Sequence, residues 1–174
     1  MCSLCLCHAS RRNTSSEDLV RGLAFSCTEC GECCTGSGHV WLNRAELSAI
    51  AKLLGDVDED VFIDTYCTGP PRTDGWYMLK NAEDSDACIF LDQETNHCTV
   101  YGARPLQCAT YPWWPELVQS RKAWAQEARQ VCEGILLDKD DHDDDVELVS
   151  SREAAAHLDA FCAYLASSAN ENNI

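Results

Sequence analysis

The chain has 174 residues and a mass of 19.3 kDa, the size of one small domain with a modest core. Its formal charge is −16, from 29 acidic and 13 basic residues, so its surface repels the phosphate backbone of a nucleic acid. No run of residues approaches the ~20 apolar residues that a membrane-spanning helix needs. Composition therefore predicts a soluble protein with no nucleic-acid partner and no membrane, whose acidic surface suits a basic protein partner.

The first 22 residues differ in composition from the rest of the chain. Arg11, Arg12, Arg21 and several serines lie there, and the first acidic residue is Glu17. This composition is compatible with the remnant of an organellar transit peptide, and it lacks the apolar stretch of about 7 to 15 residues that a secretory signal requires. We predict a flexible N-terminal segment over residues 1–22 and a reducing intracellular compartment, cytoplasmic or organellar.

Next comes a tight cysteine run, with four thiols in eight residues: Cys27, Cys30, Cys33 and Cys34. Two glutamates and a glycine lie between these thiols, so the run does not have the pattern of a packed core. A wider ladder of thiols follows later in the chain: Cys88, Cys98, Cys108 and Cys132. Short loops between cysteines bring several sulfur atoms to one centre without backbone strain, which is the arrangement that a soft metal needs.

The next elements have helical patterns. A helix is predicted to begin after Asn43, which can cap it, and Glu46 is placed to complete a capping box. Apolar residues at helical spacing then continue to Leu54, and Gly55 provides the stop. A shorter helix is predicted over residues 58–66, ended by the glycine and prolines that follow.

The middle of the chain has the pattern of short strands. Residues 76–79 form one apolar run, and residues 88–91 and 98–101 form two more, separated by a polar stretch. We predict that the last two runs pair as a β-hairpin. In that hairpin Cys88 and Cys98 begin the two strands and do not lie opposite each other.

Helical patterns return after Pro105. A short turn or helix carries Cys108, and a longer helix is predicted from Pro115 to Val131, with Cys132 at or just beyond its end.

An acidic loop over residues 138–149 precedes a final helix over residues 150–166, which packs on the domain, and residues 167–174 form a tail. Cys162 lies on the apolar stripe of that helix and is interpreted as an ordinary buried thiol. The predicted fold is α+β, a small single domain with helices around a short β-hairpin or small sheet. A cysteine-ligated metal site within residues 23–137 is expected to organise it.

Four interpretations of the cysteines compete: a disulfide framework, ordinary buried thiols, zinc sites and an iron–sulfur cluster. A disulfide framework requires an oxidising compartment, and the 13 cysteines would leave one unpaired. Zinc takes four tetrahedral ligands, so two sets of four thiols suit two structural sites. The spacing from Cys27 to Cys33 matches the bacterial ferredoxin run but lacks its following proline, so zinc and iron–sulfur both stay open.

Three other side chains are candidates for a role at such a site. His39 and His97 offer imidazole nitrogens, although the competing interpretation of each is a surface histidine. Arg104 would offset thiolate charge and donate hydrogen bonds to sulfur, which tunes a redox potential. A surface salt bridge is the competing interpretation of Arg104.

Several motifs carry a family resemblance, and they occur in this order: Phe25-Ser26-Cys27-x2-Cys30-Gly31-x-Cys33-Cys34, Cys88-Ile89-Phe90-Leu91, Cys98-x-Val100-Tyr101, Arg104-Pro105-x-x-Cys108, Tyr111-Pro112 and Cys132-Glu133-Gly134. Together they resemble the CxxCxxCC cysteine-cluster family, also called the YkgJ type, a zinc- or iron-chelating domain. The resemblance covers about residues 25–135.

The resemblance implies a metal site built from eight thiols: Cys27, Cys30, Cys33, Cys34, Cys88, Cys98, Cys108 and Cys132. The function expected from it is to hold an iron–sulfur cluster or zinc. Flagellin lysine methylases look related through a similar cysteine cluster, which raises the alternative of a redox or methyl-transferring enzyme. Nothing resembles a glycine-rich S-adenosylmethionine loop, so an enzyme is the less favoured alternative, beside metal storage or delivery.

Overall fold

A computed structural model describes residue 7 and residues 14–36, 38–137 and 146–170. The chain divides into two compact units: unit 1 is Met1–Thr28 with Thr110–Ile174, and unit 2 is Glu29–Ala109. Most of the predicted acidic loop and part of the predicted tail lie outside the described residues. Within the described ranges, no helix is both long and apolar enough to cross a membrane.

Helices joined to two small antiparallel sheets confirm the predicted α+β class. The regular elements are, in chain order, α1 (Ser16–Val20), β1 (Ala24–Phe25), β2 (Trp41–Leu42), α2 (Arg44–Leu53), α3 (Glu59–Tyr66), β3 (Tyr77–Met78), α4 (Leu106–Ala109), α5 (Pro115–Val118), α6 (Arg121–Gln130), β4 (Ile135–Leu136) and α7 (Ser151–Asn170). Short 3-10 turns cover Glu32–Cys34 and Tyr101–Ala103.

In unit 2, α2 begins as the sequence predicts. The Asn43 side chain accepts a hydrogen bond from the Glu46 backbone N–H, and the Glu46 carboxylate accepts one from the Asn43 N–H, so the capping box is confirmed. Gly55 adopts φ +98° directly after this helix, a conformation that favours glycine. The predicted second helix is α3, and β2 pairs with β3 through Trp41 and Met78.

The core of unit 2 lies under α2 and α3. Its largest fully buried side chains include Phe62, Leu42 and Leu47. The Phe62 ring lies 5.0 Å from the Tyr66 ring and 6.4 Å from the Phe90 ring, measured between centroids. Phe90 belongs to the cysteine-bearing loops, so this aromatic group fixes those loops to the helices.

The predicted β-hairpin forms only a single bridge, between Leu91 and Cys98. Both of its flanks close into turns, since Leu91 N–H donates to the Cys88 carbonyl and Tyr101 N–H to the Cys98 carbonyl. These bonds within each run compete with bonds between the runs, so the ladder cannot extend. Cys88 bridges to Asn81 and not to Cys98. This confirms the prediction that Cys88 and Cys98 do not lie opposite each other.

Unit 1 is built from both of its chain segments. β1 pairs antiparallel with β4, which places Phe25 opposite Ile135. Phe25 packs its ring edge against Trp113 at 6.0 Å, and Trp113 stacks on Trp124 at 5.1 Å between centroids. Both tryptophans are 1% exposed, so this aromatic group forms the centre of the unit.

The helix predicted from Pro115 to Val131 is instead two helices, α5 and α6. Ser120 separates them because its hydroxyl accepts a hydrogen bond from the Ala123 N–H and caps α6. Cys132 follows α6 closely, as predicted. The final helix, α7, begins after Ser150 as predicted but continues to Asn170, beyond its expected end.

Part of the segment predicted to be flexible is folded. Ser15 caps α1, and Val20 is fully buried against the core of unit 1. Cys7 forms a disulfide bond with Cys162, so the interpretation of Cys162 as an ordinary buried thiol is wrong. The physical reason is that α1 packs along α7, where Ser16 donates a hydrogen bond to Asp159.

Candidate metal centre

Unit 2 brings five of the predicted ligands near one another: Cys33, Cys34, Cys88, Cys98 and Cys108. The thiols of Cys33 and Cys34 share a hydrogen bond. Negative charge on Cys33, Cys88 or Cys98 raises the pKa of the Cys108 thiol, which shows that the ladder and the run approach each other. Residues far apart in sequence therefore contribute sulfur to one region.

Backbone hydrogen bonds join the tight run to the ladder. Gly31, in a left-handed conformation, begins the 3-10 turn, and its carbonyl accepts from the Cys34 N–H at 2.7 Å. The Cys34 carbonyl accepts from the Cys88 N–H, also at 2.7 Å. The tight cysteine run and the ladder are thus connected through the backbone of Cys34.

Gly31 has a second structural role. A Cβ atom at this position would overlap the backbone carbonyl of Asn96 and lie 3.1 Å from a methyl group of Leu91. Its φ of +80° also favours glycine over other residues. The glycine therefore lets the tight run lie against the loop that leads to Cys98.

Helix α4 positions Cys108 through two side chains. The Leu106 N–H donates to the Glu46 carboxylate at 2.7 Å, so the residue that caps α2 also anchors α4. Gln107 accepts from the Trp41 N–H at 3.2 Å and donates to the His39 carbonyl at 3.0 Å. These contacts hold the start of α4 against the β2 region.

Burial opposes the ionisation of most of these thiols. It raises the pKa of Cys88 and of Cys98, and it raises the pKa of Cys108 to about 12. The pKa of Cys33 is instead lowered to about 7, first because its sulfur accepts the hydrogen bond from Cys34, and further because of the nearby Arg104. The same bond, with burial and neighbouring thiolates, raises the pKa of Cys34. A bound metal cation would reverse this balance and favour the thiolates.

Arg104 lies beside the thiols. Its positive charge adds to the lowering of the Cys33 pKa, and it offsets part of the rise that burial causes in the pKa of Cys98 and Cys108. Its guanidinium carbon lies 3.8 Å from the centroid of the Tyr101 ring. Arg104 Nε is buried and has no hydrogen-bond partner among the described residues, and no salt bridge of Arg104 is found in the same ranges.

The other predicted ligands are placed differently. Cys30 is half-buried in unit 2, just before the 3-10 turn. Cys27 and Cys132 belong to unit 1, where the first is exposed and the second is buried. Both lie at the same end of the β1–β4 pair, since the Ser26 N–H donates to the Gly134 carbonyl at 3.0 Å.

The two histidines named from the sequence are exposed. His97 lies near the Asp92 carboxylate, where its charge contributes to lowering the pKa of that group after the larger effect of backbone hydrogen bonds from Thr95 and Glu94. His39 contributes its backbone carbonyl, as described above.

Tyr111 and Glu127 are polar neighbours of Cys132 that sequence reasoning missed. The Tyr111 hydroxyl donates to the Glu127 carboxylate at 2.6 Å, and the Cys132 N–H donates to the Glu127 carbonyl at 3.0 Å. Burial, followed by the bond to Glu127, raises the pKa of Tyr111, with a smaller effect from Cys132. Tyr111 is thus held as a neutral donor. In the sequence, the Tyr111-Pro112 motif was the signal that could have pointed to Tyr111.

The donor set fits a thiophilic metal in its chemistry. Five sulfur atoms, a nearby guanidinium and partial burial are the features of a thiolate site. Within the described part of the chain, however, no three His, Cys, Asp or Glu side chains are arranged so that they could hold a metal ion as they stand.

The CxxCxxCC family, described as "Putative zinc- or iron-chelating domain", matches residues 26–133, which is more than half of the chain. A curated relative, "Uncharacterized protein MJ0661" of Methanocaldococcus jannaschii, is 31% identical over 94 residues, covering 54% of this chain and 47% of the relative. The chain therefore spans about half the length of that relative. No solved structure matches the chain.

Proposed function

Because the chain belongs to the CxxCxxCC family of zinc- or iron-chelating domains, we propose that it holds zinc or an iron–sulfur cluster through cysteine thiolates of unit 2. The thiolates proposed as ligands are those of Cys33, Cys34, Cys88, Cys98 and Cys108. Cys30, also in unit 2, is a candidate for a further ligand, whereas Cys27 and Cys132 belong to unit 1 and stay ligand predictions from the sequence. When bound, zinc supplies a structural cross-link and an iron–sulfur cluster supplies one-electron chemistry.

One observation supports this proposal above the others. Five free thiols from four separate stretches of unit 2 lie close enough for their charges to act on one another. Keeping several half-buried thiols together gives little packing benefit, and their ionisation is opposed by burial. A cation that binds all of them compensates both effects, so metal binding explains the arrangement.

Arg104 is proposed to assist binding without acting as a ligand. Its unpartnered Nε–H is available to donate to a thiolate sulfur once the site closes. Its positive charge also offsets part of the negative charge that several thiolates bring. The Tyr101 ring holds the guanidinium in this position.

Metal delivery is a second candidate function. Cys27 and Cys33 are exposed, so a partner's thiols could reach them and exchange a bound metal. With a formal charge of −16, the surface favours a basic protein as that partner. Rapid transfer of metal to an acceptor, in place of tight retention, distinguishes delivery from a structural role.

Metal analysis of anaerobically purified protein tests the proposal. We expect either stoichiometric zinc in colourless protein, or iron with acid-labile sulfide in brown protein that absorbs at roughly 400 nm. Protein that stays free of metal after incubation with zinc, or with iron and sulfide, would contradict the proposal.

Alanine variants assign the ligands. We expect Cys88→Ala and Cys108→Ala to lower the metal content strongly, because each removes a thiolate from the group. Cys67→Ala is the matched control: Cys67 is also a free thiol of unit 2, but it is 2% exposed and its pKa, raised to about 11 by burial, shows no effect of the other thiols. Equal metal loss in all three variants would indicate a folding defect in place of ligation.

A further inference from the structure

Unit 1 contains a disulfide bond. It joins Cys7 to Cys162, which are 155 residues apart in the sequence. The other described cysteines form no disulfide bond, and they are Cys27, Cys30, Cys33, Cys34, Cys67, Cys88, Cys98, Cys108 and Cys132. Pairing is therefore confined, within the described residues, to two cysteines that no proposed ligand set includes.

This bond lies within unit 1, which is assembled from two separate chain segments. Noncovalent contacts between the segments include the β1–β4 pair and the packing of α1 on α7. Arg121 adds a link, since its guanidinium donates to the Gly22 carbonyl at 2.6 Å. The disulfide is a covalent addition to these contacts, at the side where α1 meets α7.

The helix α1 is short, and its main packing is against α7. The helix has five residues, and Val20 is the residue within it that is buried. A helix this short is not stable by itself in water. Its docking on α7 therefore depends on the contacts just described and on the cross-link before it.

Cys162 is placed where a small thiol can reach it. It is half-buried on α7, beside Phe161, which packs into the core of unit 1 at 5% exposure. Both cysteines are half-buried, and a disulfide that is not fully buried is more open to exchange with thiols than one enclosed in a core.

We propose that Cys7 and Cys162 are a reversible redox pair that reacts with glutathione-type thiols and, when oxidised, fastens α1 to α7. In the reductive direction a glutathione thiolate attacks one sulfur, breaks the S–S bond and forms a mixed disulfide. A second glutathione thiolate breaks that mixed disulfide and leaves as glutathione disulfide. Two electrons and two protons pass to the protein, which ends with two free thiols; glutathione disulfide drives the reverse reaction.

The test uses the full chain, with its metal content measured before and after treatment. The protein is equilibrated in buffers of stepped ratios of reduced to oxidised glutathione, then alkylated, digested and analysed by mass spectrometry. We expect the Cys7–Cys162 cross-linked peptide to disappear and reappear reversibly as the ratio changes. Hydrogen exchange at the Asp18 and Leu19 amides, which donate to the Ser15 carbonyl, should become faster by about tenfold or more on reduction.

Two variants and a control separate the cross-link from general effects of glutathione. In Cys7→Ser and Cys162→Ser, exchange at the α1 amides should be fast in every buffer. Cys67→Ala should behave as the unmodified chain, because this thiol of unit 2 is free. Absence of the cross-linked peptide in the most oxidising buffer would overturn the proposal. Equal hydrogen exchange at the α1 amides of the oxidised and reduced unmodified chain would also overturn it.

Discussion

The two units of this chain use different means to hold their structure. Unit 1 has a centre of stacked tryptophans, the 20-residue helix α7 and a disulfide. Unit 2 has a core under α2 and α3, but between β3 and α4 its described backbone forms isolated bridges, turns and one 3-10 turn. Four of the five grouped thiols lie in or next to such irregular segments.

The difference indicates which unit should depend on a bound metal for its stability. A segment with few regular hydrogen bonds has little cooperative structure of its own, and a structural metal can contribute on the order of 10 kcal/mol to a small site. In unit 1, packed aromatic rings and a covalent cross-link contribute stability without a metal. Unit 2 is thus the part whose order should depend on the bound metal.

Removal of the metal should have the largest effect on the structure of unit 2. If unit 2 does not change, the proposed difference between the two units is wrong. If the proposed site holds the metal, we expect a chelator to increase hydrogen exchange strongly across residues 81–104, because a structural metal can contribute on the order of 10 kcal/mol. The amides of α6 and α7 should change little. Exchange measured by mass spectrometry on loaded and stripped protein provides the readout, and an equal loss of protection in both units would show that the comparison is wrong.

Substitution of Gly31 should give an intermediate effect. Gly31→Ala should destabilise unit 2 by about 2 to 4 kcal/mol, because alanine is strained at φ +80° and its Cβ meets the Asn96 carbonyl. Metal content should fall although no thiol is removed. Gly36→Ala is the matched control, since a Cβ there meets nothing within 4 Å. Urea unfolding and metal analysis measure both variants, and equal stability of the two would contradict the role given to Gly31.

The smallest effect is expected at Glu46. Glu46→Gln replaces one carboxylate oxygen with an amide group that cannot accept from a backbone N–H, so either the cap of α2 or the anchor of α4 is lost. We expect a loss of about 1 to 2 kcal/mol in the free energy of unfolding. Glu59→Gln, which disrupts an exposed pair with Arg44, should cost less than about 1 kcal/mol. A urea titration that ranks the two variants the other way would refute the double role of Glu46.

Local signals in the sequence predicted several elements well. Asn43 and Glu46 mark the start of α2 because a capping box needs only residues three apart. The break between α5 and α6 was missed, although Ser120 is also a capping residue, because the apolar pattern continues through it. Capping residues therefore predicted where a helix begins, except where an apolar helical pattern continued across the cap.

Long-range contacts were beyond reach of the sequence pattern. The runs that begin at Cys88 and Cys98 have strand composition, and nothing in that composition indicates that each closes into its own turn. The pairing of Cys7 with Cys162 depends on the docking of α1, which spacing does not encode. In the candidate site, the cysteine ladder and Arg104 were found from sequence, whereas the contact of Tyr111 with Glu127 required the fold.

The insertion of unit 2 between the two segments of unit 1 affects the order of events on the ribosome. Residues 29–109 can fold once they have emerged, whereas β1 must wait for β4, which is synthesised after the whole of unit 2. At about 5 to 20 residues per second, that wait lasts several seconds. During it the backbone N–H and C=O groups of β1 lack the strand with which they pair in the folded chain.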